Sequence, residues 1–275
     1  MTLAGLTRPD HSRVGVAPRT ASVDANAPDA LAQLAQALGP EPHALVILFL
    51  SPVAPLEQIS GDAARAFPQS QVIGCTTAGE ISDTGYTEGQ IVAIALPKAH
   101  FDAEPVLVPD LSDLNPHELI GRLTQARQAL TQRHGDWDHE FAFLLVDGLS
   151  IKEDELTAVL SAGLGPVPLF GGSAGDGSRF EATFLLHDGK PLQNAAILTF
   201  VRTDCPIKVF NLDHLVPTEK RMVVTDADPS RRIVRQINAE PAALEYARIL
   251  GIDPMQLDAF TFAGHPVVVR FGGKH

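Results

Sequence analysis

Cysteine, aromatic side chains and positive charge are all scarce in this chain. Its 275 residues include two cysteines, one tryptophan and two tyrosines. Two cysteines, Cys75 and Cys205, cannot build a disulfide scaffold, so both are expected to be reduced thiols. Lysine and arginine number 21 against 33 aspartates and glutamates, a formal net charge of −12. Phosphate backbones are held by Lys/Arg neutralisation, so this deficit argues against a nucleic-acid binder. It also disfavours docking on anionic lipid. The longest apolar run, Ala44–Leu50, is far shorter than the roughly 20 residues that span a bilayer. Residues 1–22 carry Arg8, Asp10, His11, Arg13 and Arg19 and no apolar segment, unlike a secretory signal. The expectation is a cytoplasmic chain with neither nucleic acid nor membrane as its partner.

Several motifs are missing as well. The ten histidines show no H-x-x-x-H or H-E-x-x-H pair, so a helix-borne zinc site is not indicated. No C-x-x-C-H occurs, which removes covalent c-type haem attachment. The Walker ending Gly-Lys-Ser/Thr is absent. Rossmann spacing fails too, because Phe180 stands where the third glycine belongs.

What remains is an α/β pattern. Residues 1–25 have no sustained period and read as a tail. Asp29–Leu38 has helical spacing, closed by Gly39-Pro40. His43–Leu50 is continuously apolar, as in a strand buried on both faces. Pro52–Phe67 reads as a helix and Gln71–Gly74 as a strand, which together make a right-handed β-α-β unit. Gln90–Leu96 and Phe101–Val108 are further strands. Asn115-Pro116 opens a helix to about Arg133. Glu140–Val146 is a buried strand, and Ser150–Glu153 reads as a capping box for a helix to about Ala162. Phe180–His187 and Ala195–Arg202 read as strands joined through Asp188-Gly189, a hairpin signal. Ile207–Leu212 and Met222–Thr225 are expected strands, and Asn238 is the expected cap of a helix stopped by Gly251. The composition shifts near Gly165–Gly177. No internal repeat is visible. The fold class expected is α/β, with mixed β-sheets flanked by helices.

Two glycine-rich turns carry the candidate chemistry. Gly171-Gly172-Ser173-Ala174-Gly175 fits G-x-S-x-G, with Ser173 as the nucleophile of a hydrolase. That elbow needs a helix after the turn, whereas the residues that follow read as strand. The cluster is otherwise a turn that lets backbone approach a ligand, or a tight connection in which Asp176 makes an Asx-turn. Gly74-Cys75-Thr76 ends a strand of the β-α-β unit, where open α/β sheets place ligands. Cys75 reads either as a reactive thiol or as a small buried hydrophobe. Asp147 ends a buried strand and reads as a ligand contact or as turn chemistry. Cys205-Pro206, His214 and His265 each offer a residue type that ligates haem iron.

The block Val72-Ile73-Gly74-Cys75-Thr76-Thr77-Ala78-Gly79-Glu80-Ile81 resembles the signature of the FIST N domain. So does Pro168-Leu169-Phe170-Gly171-Gly172-Ser173-Ala174-Gly175-Asp176, at the spacing that family shows. Asn238–Gly251 and Phe262-Ala263-Gly264-His265-Pro266 look like the opening of the FIST C domain. The resemblance covers about residues 40–275 and implies a FIST N-like domain over 26–235, followed by the start of an incomplete FIST C-like domain over 236–275. It implies a sensory module of signal transduction rather than an enzyme. Such modules take a small-molecule or gas ligand and neighbour a histidine kinase or a cyclic-dinucleotide signalling protein. The nitric-oxide-sensing branch binds haem b. On that resemblance His265 is the first choice of axial ligand and metal contact, and His214 the second. Gly74, Cys75, Thr76, Gly171, Gly172, Ser173 and Asp176 are the expected ligand-binding residues. Binding of a metabolite such as an amino acid, without haem, is the alternative.

Overall fold

The computed structural model describes residues 17–212 and 215–269. The chain forms two compact units, divided between Val209 and Phe210. In chain order the first unit opens with β1 (Arg19–Asp24), α1 (Ala30–Leu38), β2 (His43–Leu50), α2 (Leu56–Ala66) and β3 (Gln71–Thr76). A short ribbon of β4 (Glu80–Ser82) and β5 (Gly85–Thr87) leads to β6 (Gln90–Pro97). Next come β7 (Phe101–Val108), α3 (Pro116–Arg133), β8 (His139–Val146), α4 (Glu153–Leu164) and β9 (Leu169–Ser173). The unit closes with β10 (Leu185–His187), β11 (Lys190–Leu192) and β12 (Ala196–Thr203).

These strands make a six-stranded sheet, β1-β6-β2-β3-β10-β11, and a four-stranded sheet, β7-β12-β8-β9. The β2–β3 and β8–β9 pairs are parallel, and every other pair in the two sheets is antiparallel. The strand order β1-β6-β2-β3 therefore recurs as β7-β12-β8-β9, with the same directions and a helix after each of the first two strands in the chain. This is a structural duplication that the sequence does not display. Its residue identities have diverged, and what recurs is strand order and the glycine at each parallel junction.

Burial follows the two-residue period of the strands. Val46, Leu48 and Leu50 of β2 pack with Leu31, Leu34 and Leu38 of α1 and Ile59 and Ala63 of α2. Leu45 and Ile47 of the same strand face the space between the sheets, beside Ile73, Cys75, Phe143, Leu145 and Ile197. Ala142, Leu144 and Val146 of β8 turn the other way, onto Leu119 and Leu123 of α3 and Leu156 and Leu160 of α4. The order of layers is helix, sheet, sheet, helix, and it explains the apolar runs of β2 and β8: both faces of each strand are covered. Each such Leu or Ile contributes about 1.5–3 kcal/mol by leaving water. The α3 helix starts as expected, with Asn115 Oδ1 accepting the Glu118 N–H at 3.2 Å and Pro116 in the first turn.

Some expectations needed correction. Asp188-Gly189 is a hairpin turn with both residues at positive φ, but it joins β10 to β11, not to β12. The strand expected from Phe180 begins only at Leu185, because the amides of Phe180, Glu181 and Ala182 are bonded to the Asp176 carboxylate. Ser150 does not cap α4. Its hydroxyl donates to Asp147 O at 2.8 Å, and the helix begins at Glu153. No strand forms over Ile207–Leu212, and the expected tail of residues 1–25 contains β1, an edge strand held by its backbone pairing with β6.

In the second unit, β13 (Val224–Asp228), β14 (Ile233–Ile237) and β15 (Glu240–Pro241) form an antiparallel sheet, followed by α5 (Ala242–Leu250) and α6 (Ala259–Gly264). Asn238 is not the helix cap. With Ala239 it occupies positive φ in the β14–β15 turn, and its Nδ2 donates to Glu245 Oε1 on α5 at 2.8 Å. Among the described residues, no helix is long and apolar enough to cross a membrane.

Candidate functional site

The two glycine-rich turns are equivalent points of the duplication, and they meet. Gly74 pairs with Leu48 across β2–β3, and Gly171 with Leu144 across β8–β9. At either glycine a Cβ would collide with the carbonyl oxygen of the paired leucine. One residue past each strand the same bond recurs: Thr77 N–H donates to Leu50 O at 3.0 Å and Ala174 N–H to Val146 O at 2.8 Å. The turns then bond to each other, Gly175 N–H to Thr76 O at 2.9 Å and Gly177 N–H to Thr77 O at 3.2 Å. Gly175 is required here, since its Cβ would lie 2.9 Å from Ala78 N.

Buried acids tie these ends down. Glu80, 2% exposed, accepts from Thr77 Oγ1 at 2.5 Å and from Gln90 N at 3.2 Å. Asp147 accepts from Leu149 N at 3.0 Å, the Thr183 hydroxyl and Asn194 N. Its oxygens are engaged by the protein, so of the two readings of Asp147-Gly148 the structure takes turn chemistry. Asp176 accepts from Phe180 N at 2.9 Å, Glu181 N at 2.7 Å and Ala182 N at 3.0 Å. Burial pushes the Asp176 carboxyl up, but these three amides and the Arg179 charge outweigh it and hold the group below the usual carboxyl range.

The connection pinned by Asp176 runs from β9 in one sheet to β10 in the other. It crosses beyond the carboxyl ends of β2 and β3 and leaves a cleft of about 170 Å³. Leu50, Leu56 and Phe184 give it apolar walls, Thr76 and Asp176 line it, and Arg179 and Glu181 bring opposite charges to it. Arg179 and Glu181 are exposed. Arg179 donates its Nε–H to Asp176 O at 3.2 Å, and among the described residues its terminal nitrogens have no hydrogen-bond partner. The Thr76 hydroxyl accepts from Phe184 N at 3.0 Å and so sets the connection against β3.

The expected ligand residues separate on this frame. Thr76 and Asp176 line the cleft. Gly74 and Gly171 sit within their strands against the neighbouring backbone. Cys75 faces the core between the sheets, 4% exposed, and burial pushes its thiol up to about 12. Gly172 and Ser173 are exposed in β9, an edge strand. The chain after Ser173 runs through an irregular connection into β10, so the helix that a nucleophile elbow needs does not follow. Ser51, Arg179 and Glu181 were missed by sequence reasoning. Ser51 directly follows the expected strand His43–Leu50, whereas Arg179 only precedes the expected strand Phe180–His187 and Glu181 falls inside it, so neither of these two carries a signal of its own.

His214 lies outside the described residues. His265 follows α6, where its ring Nδ1 lies 3.2 Å from Thr261 O and its own carbonyl accepts from Tyr246 Oη at 2.6 Å. The residue is exposed, as are Phe260, Phe262 and Val267–Val269 around it in sequence. A haem needs an enclosing apolar pocket around its axial ligand, and the described residues around His265 do not supply one. The residues present do not fit a haem at His265.

The two-sheet α/β module carries a cleft of about 170 Å³ at the carboxyl ends of its parallel strands, the end at which open α/β sheets place ligands. The family model of the FIST N domain matches residues 44–240. The chain therefore belongs to the FIST N domain family, whose members are sensory and signalling modules. No curated protein sequence matches it significantly.

Proposed function

We propose that the chain senses a compact zwitterionic metabolite, an amino acid in the first instance, in the cleft between residues 50–56 and 176–184. The observation that carries this reading is the pair Arg179 and Glu181, opposite charges two residues apart at the cleft between the two family signatures. A guanidinium recognises a carboxylate in a planar fork, and a carboxylate recognises an ammonium. The volume, about 170 Å³, favours a ligand smaller than the occupants of typical pockets of about 300–1,000 Å³. A haem is too large for it. The site acts in the cytoplasm, and its occupancy is passed on by docking to a histidine kinase or a cyclic-dinucleotide signalling protein.

The test is thermal unfolding with each common L-amino acid in turn. At 100 times its Kd a ligand adds about 2.7 kcal/mol, a shift of roughly 5–11 °C for a domain of about 200 residues. Arg179→Ala should remove the shift while lowering the unliganded Tm little, since Arg179 is exposed and its contacts with Asp176 are screened by solvent. No shift with any amino acid, or an equal shift in the variant, refutes the reading. Haemin added to the same samples tests the haem-based nitric oxide sensor: a sharp Soret band abolished by His265→Ala would favour it instead.

A further inference from the structure

We propose that His100, Asp204 and Cys205 form a zinc site, separate from the cleft. The three side chains come from two connections of one sheet. His100 immediately precedes β7, while Asp204 and Cys205 immediately follow β12. The two strands pair through Phe101 and Thr203, and Thr203 also pairs with His139, the first residue of β8. The cluster thus lies at the far end of this sheet from the signature turns, which follow the carboxyl ends of the parallel strands.

The donors already stand close to coordination geometry. His100 Nδ1 is 3.1 and 3.0 Å from the two Asp204 carboxylate oxygens, and Cys205 Sγ is 3.3 Å from Asp204 Oδ1. One ligand atom from each residue lies within 4.8 Å of the other two. Ligands of tetrahedral zinc, about 2.0–2.3 Å from the metal, stand roughly 3.2–3.8 Å from one another. Small side-chain rotations bring three atoms from the one arrangement to the other.

The backbone carrying them is anchored. His100 N–H donates to Pro97 O at 3.1 Å, and Cys205 N–H donates to Thr203 Oγ1 at 3.0 Å. Thr203 itself is fully buried. Donors held this way on strand ends need little ordering when a metal arrives.

Donor type selects the metal. Calcium and magnesium take oxygen ligands. One sulfur, one imidazole nitrogen and one carboxylate oxygen suit a borderline-soft divalent ion, and in a site with three protein ligands zinc keeps its fourth position for water. The side chains of His100 and Asp204 are 30% and 43% exposed, so that position opens to solvent. The chemistry balances without a co-reactant. The Cys205 thiol gives up its proton as the sulfur–zinc bond forms, and one proton leaves to solvent for each zinc bound.

Cobalt(II) is the probe, because it occupies tetrahedral zinc sites and reports thiolate ligation by a sulfur-to-metal charge-transfer band. The full chain, without a histidine tag and stripped by a chelator, should bind one cobalt per chain with that band, and zinc should bleach it. Cys205→Ser should abolish the band, while Cys75→Ser should leave it. His100→Ala and Asp204→Asn should each weaken cobalt binding by about tenfold or more. The two latter variants keep the thiol and carry the test should Cys205→Ser not fold. Absence of the band in wild type, its survival in Cys205→Ser, or unchanged affinity in both other variants overturns the site.

Discussion

A single methyl group at Gly74 tests the account of why the signature glycine is there. β3 lies between β2 and β10, so it has no free side to move toward. The Cβ of Gly74→Ala would stand 2.5 Å from Leu48 O and 3.1 Å from Leu48 Cβ. Carbon atoms in contact prefer about 3.5–4.0 Å, so β2 and β3 must separate by roughly 1 Å where they are bonded. Overpacking of this kind costs about 1–3 kcal/mol, occasionally more. We expect the upper end, reduced by the roughly 0.5–1 kcal/mol that alanine gains over glycine through the unfolded chain. The net expectation is a loss of about 2 kcal/mol, or about 4–8 °C in Tm. Gly61→Ala is the control. Gly61 is exposed within α2 and nothing lies within 4 Å of its added Cβ, so the same change should stabilise by about 0.5–1 kcal/mol. Urea unfolding followed by far-ultraviolet circular dichroism reads both. A Gly74→Ala protein as stable as wild type would refute the packing argument, whatever the control does.

Other consequences follow from single buried groups. Asp147→Ala strands the amides of Leu149 and Asn194 and the Thr183 hydroxyl, and should cost about 3 kcal/mol or more in urea unfolding; a loss under about 1 kcal/mol would remove its structural role. His43 is buried, and among the described residues neither ring nitrogen has a hydrogen-bond partner. Burial, then the Arg19 charge, holds its pKa below the ordinary 6.5, against the opposing pull of Glu41. The unfolded chain therefore takes the proton first, so stability is full above about pH 6.5 and falls as acid is added. His43→Leu should flatten unfolding free energy between about pH 7 and about pH 5, and an unchanged slope would contradict this reading. Iodoacetamide should modify Cys205 but not Cys75 in the native metal-free protein, and both in urea, as mass spectrometry of peptides would show; native labelling of Cys75 would place it outside the core.

Much of the fold was legible because both faces of the central strands are covered. Ala44–Leu50 and residues 141–146 are apolar at every position, and only a strand packed on two sides explains such a run. The Asn115-Pro116 start of α3 was legible because a cap is a local bond. The hairpin partner of β10 was not, since Asp188-Gly189 fixes a turn but not where the chain goes afterwards. The duplication was invisible because it is conserved in strand order rather than in side chains. For the site, Thr76 and Asp176 could be found from the glycine-rich turns that carry them. Arg179 and Glu181 could not. They reach the cleft only because the β9–β10 connection crosses between sheets, and that crossing depends on long-range pairing of Leu185 with Cys75. A local pattern holds no trace of it.

Amide hydrogen exchange on the whole chain, with and without each common L-amino acid, reads directly whether the cleft binds one. At least one amino acid should slow exchange in residues 50–56 and 176–184, and Arg179→Ala should abolish that protection. Protection confined to other segments, or none with any amino acid, would contradict it.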